Sequence, residues 1–227
     1  MFTKLVATLG LCLVLVMAAS GCGGTQQADR MDTKVGVSTL VALADCHISS
    51  YANALESLAI TQEVQSGDWE EMSGLLANVE EAQVHGTMWF VLPDGSYSTV
   101  ELEQTGMNLS DRAYFPGLMA GNKILGDLVV SKSTGEKSLI AASPVMKEGE
   151  VIGGLGVSIF LDDLSTNLAE ALALPEDMVF YATTEDGEVA LHSDTQIIFE
   201  TNPVLAENVV YETSPLTGWR FALGYKD

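Results

Sequence analysis

Between residues 87 and 160 the chain alternates strand-like apolar runs with turns too short to carry a crossover. Pro93-Asp94-Gly95-Ser96 separates runs 87–92 and 98–102, Thr134-Gly135 separates 124–131 from 138–145, and Glu148-Gly149 separates 138–145 from 151–160. These residue types favour tight turns, because Gly accepts a left-handed backbone and Asp or Thr bonds to its own main chain. Parallel neighbours need a dozen or more connecting residues, so strands joined this way are antiparallel.

Helical patterns flank this region. Val37, Leu40, Val41, Ala44, Ile48, Tyr51, Leu55 and Leu58 recur at spacings of three and four, which predicts one long amphipathic helix. Ser66-Gly67-Asp68 interrupts it, and Asp68 followed by Glu71 is a capping-box pattern for a second helix to about residue 81. Asp111 is placed to cap a short helix over 112–119, and Asp162 or Asp163 to cap another reaching residue 174. Runs 178–182, 188–192, 209–213 and 219–225 then read as strands. The expected fold class is α+β: a long N-terminal helix on a curved antiparallel sheet of about five strands, with a small, mostly β C-terminal annex.

The first residues predict a destination. Lys4 precedes an apolar run over 5–17, and Ala18-Ala19-Ser20-Gly21 precedes Cys22. That is the layout of a secretory signal, and the run is short of the roughly 20 apolar residues a membrane span needs. Ala19-Ser20-Gly21-Cys22 resembles the bacterial lipobox, with Ala19 where leucine is commonest. The resemblance implies removal of residues 1–21 and acylation of Cys22 by chains such as palmitate. Residues 22–32 are small and polar, as a flexible tether requires. The expected location is the extracytoplasmic side of the cell envelope, with lipid as the only membrane contact and about 0.8 kcal/mol gained per buried methylene.

Charge narrows the partners. With 10 basic and 31 acidic residues the formal net charge is −21, and loss of Lys4 would deepen it. Nucleic acid and bare anionic membrane are thereby excluded as partners. With Cys12 removed in the signal segment and Cys22 acylated, Cys46 is the single free cysteine, so no intramolecular disulfide is expected.

Four segments recur in one order: Arg112-Ala113-Tyr114-Phe115, Ser131-Lys132-Ser133-Thr134-Gly135, Pro144-Val145, and Gly153-Gly154-Leu155-Gly156-Val157-Ser158-Ile159 leading into Leu161-Asp162-Asp163-Leu164. Together they resemble the Cache family, the PAS-like extracellular sensor domains of bacterial chemoreceptors and histidine kinases. The resemblance implies a Cache domain over 33–175, with 176–227 as a truncated second module or a β extension. It also implies a ligand held between the sheet and the loop-helix region after the first hairpin.

In amino-acid-binding members the arginine and aromatics of the first motif hold the ligand carboxylate, and these positions correspond to Arg112, Tyr114 and Phe115. A guanidinium fork suits a carboxylate because it donates two parallel hydrogen bonds. Those members place aspartates against the ligand ammonium where this chain has Ser131 and Ser158. Losing both carboxylates leaves a buried ammonium uncompensated, so the expected ligand is a small organic acid or similar metabolite without an α-amino group. Lys132 is expected to add positive charge, Trp89 and Tyr97 to wall the pocket, and Ser143 to donate from its strand, all placed by strand parity.

No catalytic, cofactor or metal site is expected. Cys46 and His47 are adjacent on a helix, about 100° apart, so they cannot meet as nucleophile and base, and Cys46 is expected to pack. His47, His85 and His192 lack ligand spacing. The glycines of 153–156 precede no helix of a nucleotide-binding loop. Nothing after the strand-rich tail reads as a membrane span or a signalling region, so a separate membrane receptor, histidine kinase or transporter is expected as partner. The alternative is a structural envelope lipoprotein with a degenerate Cache pocket.

Overall fold

A computed structural model describes residues 31–83, 85–201 and 208–226. The signal segment, Cys22 and most of the tether lie outside the described residues. The Met31 side chain packs on the core, and Asp32 caps the first helix by accepting from the Lys34 and Val35 N–H groups.

That helix, α1 (Thr33–Leu58), buries the stripe Val37, Leu40, Val41, Ala44, Ile48, Tyr51 and Leu55. A short helix absent from the sequence expectation, α2 (Gln62–Ser66), follows a Thr61 cap and ends at Gly67, whose φ of 75° is left-handed. Asp68 caps α3 (Trp69–Ala82) through the Glu70 N–H. The reciprocal half of the predicted box is taken by a nearer acceptor, since the Asp68 N–H donates to Ser66 Oγ at 3.0 Å.

The strands form two antiparallel sheets. The first contains β1 (Gly86–Val91), β2 (Tyr97–Thr99), β3 (Ile124–Val130), β4 (Lys137–Lys147) and β5 (Glu150–Phe160), in the order β2-β1-β5-β4-β3. Between β2 and β3 lies the short helix α4 (Phe115–Met119), and α5 (Leu161–Ala171) follows β5. The second sheet, β6 (Met178–Thr183), β7 (Val189–His192), β8 (Val209–Thr213) and β9 (Arg220–Tyr225), runs β7-β6-β9-β8. The tail is therefore a four-stranded sheet, and α1 packs against strands of both sheets.

Two expected caps are absent. Neither α4 nor α5 has a side-chain cap; Tyr114 and Phe160 stand at the cap positions. Asp162 and Asp163 sit instead in the first turn of α5, where negative charge suits the helix dipole. Cys46 is exposed rather than packed, because it falls outside the apolar stripe of α1.

Strand alternation gives the first sheet two apolar faces. Met88, Phe90, Leu139, Ala141, Leu155 and Val157 join α1 in the main core. The opposite face carries Trp89, Val91, Ile140 and Ala142 and is covered by Tyr97, Leu109, Tyr114, Phe115 and Leu118. The candidate site lies on this second face.

Candidate functional site

Register places the site's floor. Thr87 pairs with Ser158 and Ser158 with Ile140, so β1, β5 and β4 present that row, with Trp89 two residues along, to one side of the sheet. The indole Nε1 of Trp89 donates to Ser158 Oγ at 3.3 Å, satisfying a buried polar pair without charge. The segment joining β2 to α4 folds over this floor and supplies Leu109, Arg112 and Tyr114. Trp89 and Tyr114 stack with centroids 6.2 Å apart and planes inclined by 26°.

The rim is the turn after β3. Ser131 Oγ accepts from the Thr134 N–H at 3.4 Å and lies 3.3 Å from Ser133 Oγ. Its own N–H donates to the Glu136 carbonyl at 2.8 Å, closing the turn.

Trp89, Tyr97, Arg112, Tyr114, Ser131, Lys132 and Ser158 together line one cavity of about 10 Å³. That volume is about the room one water molecule occupies. The structure thus brings seven of the nine sequence-predicted residues together.

The other two stand elsewhere. Ser143 pairs with Leu155, whose side chain belongs to the main core, so Ser143 shares the α1 side of the sheet. Its parity with Ala141, also on the core side, makes contact with the cavity impossible. Phe115 is buried among the aromatics covering the sheet but does not reach the cavity wall.

Arg112 is partly exposed yet has a buried edge. Its Nη2 donates to the Val130 carbonyl at 2.6 Å, whereas its Nε is buried with no hydrogen-bond partner among the described residues. A buried charged donor left unmade costs about 1–3 kcal/mol or more, which an anionic acceptor would recover.

Lys132 differs from its sequence reading. Its Nζ donates to both Asp111 carboxylate oxygens at 2.6 and 2.8 Å and to the Asn108 carbonyl at 2.7 Å. The ammonium is therefore already satisfied by three acceptors.

Sequence reasoning also missed two acids. Asp111, read as a helix cap, is held below the usual carboxylate range by the Lys132 hydrogen bond. Asp127 pairs with Ile140 on β4 and so faces the site side of the sheet; burial pushes its pKa up. Burial likewise raises the Tyr114 phenol, which Arg112 opposes, so the ring meets the cavity in its neutral form.

Among the described residues no group of three or more His, Cys, Asp or Glu side chains could hold a metal ion. No described helix is long and apolar enough to cross a membrane.

No protein-family model matches the chain, and no curated protein matches it in sequence. Solved structures do. The sensor domain of the Vibrio cholerae histidine kinase DctB superposes with a TM-score of 0.66 at 13% identity, covering 86% of this chain and 96% of that one. The fold is that of the Cache/PAS-like sensor domains.

The ligand-binding domain of the Pseudomonas fluorescens chemoreceptor CtaA, in complex with L-valine, gives 0.67 at 14% identity over 86% of this chain and 96% of that one. The Pseudomonas aeruginosa amino-acid chemoreceptor PctC, in complex with GABA, gives 0.62 at 16% identity over 84% and 94%. These neighbours are sensor and ligand-binding domains, and at such identities the likeness is one of fold.

Proposed function

We propose that this protein is a non-enzymatic, extracytoplasmic small-molecule-binding domain of the sensor type whose ligand is a small carboxylate without an α-amino group. The observation that carries the reading is the buried, unpartnered Nε of Arg112, a residue lining a cavity whose other walls are serine hydroxyls, aromatic rings, the aliphatic Leu109, Val129 and Ile140, and Lys132. A carboxylate would satisfy that donor and accept from Ser131 and Ser158, while no carboxylate lines the cavity to meet an ammonium.

Residues 33–175 carry the site in this reading, and 176–227 form the second, smaller module. Cys22 is the lipidated residue, supported by the small residues before it and the polar stretch after it. An acyl anchor does not cross the bilayer, so occupancy is reported through a separate membrane receptor, kinase or transporter. Binding requires the covering segment 104–114 to shift, because the cavity admits little more than one water.

The second reading is a structural envelope lipoprotein, favoured by that same small volume and by the Trp89–Tyr114 stack beside it. Calorimetry and thermal-shift measurements with short organic acids and α-amino acids separate the readings. Saturable binding of an acid, abolished in Arg112→Ala, supports the sensor reading. Binding of an amino acid and none of the acids overturns the proposed ligand class, and no binding at all selects the structural role.

A further inference from the structure

The charges around the cavity are unequally spent. Lys132 is bound bidentately by Asp111 and also by the Asn108 carbonyl, so the pair presents no net charge to a ligand. Asp127, on the same side of the sheet, adds no positive charge. Among the described residues Arg112 alone keeps a buried side-chain donor without a partner.

We propose that Asp111 is a specificity-determining residue: by holding Lys132 it leaves the site a single available cation, and so restricts the ligand to a monoanion. The inference rests on the carboxylate reading above and deepens it. A dicarboxylate would bring a second carboxylate to a half-buried site where the one other lining cation, Lys132, is already engaged, and a charge left there without a partner is disfavoured. Asp111 is positioned for this role by the backbone, since the turn in which the Arg112 N–H donates to the Leu109 carbonyl sets it outside the cavity with Arg112 inside.

The test is isothermal calorimetry of the full chain at neutral pH with propionate and succinate. The wild-type protein is expected to prefer propionate by about tenfold or more, a factor of ten being about 1.4 kcal/mol. Asp111→Asn releases the ammonium of Lys132 and is expected to shift that ratio toward succinate by about tenfold. The double variant Asp111→Asn with Lys132→Met removes both charges of the pair together and is expected to return the ratio to the wild-type preference for propionate.

Succinate binding the wild type as tightly as propionate overturns the inference while the carboxylate reading stands. An unchanged ratio in a folded Asp111→Asn protein, or a gain toward succinate that persists in the double variant, also overturns it. Absence of binding by both acids overturns the carboxylate reading and the inference with it.

Discussion

Trp89 and Gly156 are cross-strand partners, and the indole of Trp89 occupies the space a side chain at 156 would need. A Cβ there would fall closer to the ring than real Cβ atoms approach other groups. The glycine thus lets the indole lie low on the sheet, where Nε1 reaches Ser158 and the ring stacks on Tyr114. The site's floor depends on a missing methyl group.

Gly156→Ala should displace Trp89 and destabilise the fold by about 1–3 kcal/mol, the usual cost of overpacking. Chemical denaturation measures the loss. Tryptophan fluorescence, in a background with Trp69 and Trp219 replaced by Phe, reports the displaced ring. Wild-type stability and an unchanged spectrum would contradict this packing.

Arg112 leads to a contrasting expectation. Arg112 is only half-buried, and the unpartnered Nε offsets what its Nη2 bond to the Val130 carbonyl contributes, so replacing it should cost the empty protein little. Arg112→Met keeps the stem and removes the charge; its unfolding free energy is expected to stay within about 1 kcal/mol of wild type. Its ligand-induced thermal shift should vanish. A large loss of stability without ligand would reassign Arg112 as a structural residue.

Much of this fold was legible because short turns and apolar spacing act locally. The three turns of the first sheet forced antiparallel neighbours, and the stripe from Val37 to Leu55 is the buried face of α1. What failed depended on distant partners. Asp111 looked like a cap until Lys132, 21 residues later, is seen to hold it. Ser143 was assigned to the wrong face because parity depends on strand register, and its partner Leu155 settles which face that is. The tail's strands were recognisable one by one, but their order β7-β6-β9-β8 arises from pairing that local pattern does not encode.

The second sheet is joined to α1 through Ser214. This residue is 1% exposed, donates to Asp45 Oδ1 at 2.6 Å and accepts from the Leu216 and Thr217 N–H groups at 3.1 and 3.0 Å. Ser214→Ala removes a charge-assisted bond and orphans two turn donors, which is expected to cost about 2–3 kcal/mol. If the two sheets unfold together, the denaturation midpoint falls as one transition. A separate early transition would show that the second sheet unfolds independently.

His192 sets the expected acid response. It is 6% exposed and stacks on Tyr181 at 6.2 Å, and its Nδ1 accepts from the Asp194 N–H at 2.8 Å. Burial lowers its pKa below the ordinary 6.5, with the Asp194 carboxylate opposing. The folded protein therefore binds this proton less readily than the unfolded chain. The penalty is absent above pH 6.5, grows as pH falls through that value, and is complete below the lowered folded pKa. Protonation also converts Nδ1 from acceptor to donor and breaks the bond to Asp194. His47, half-buried on α1, shifts the same way through burial. Stability measured by urea unfolding from pH 7.5 to 5 should decline more steeply in the wild type than in His192→Gln, which cannot take up a proton. Raised carboxylates such as Glu80 and Asp127, shifted first of all by burial, act in the opposite direction. Their contribution remains in both proteins, so the difference between the two curves isolates the histidine. Parallel curves would rule out His192 as the acid-sensitive group.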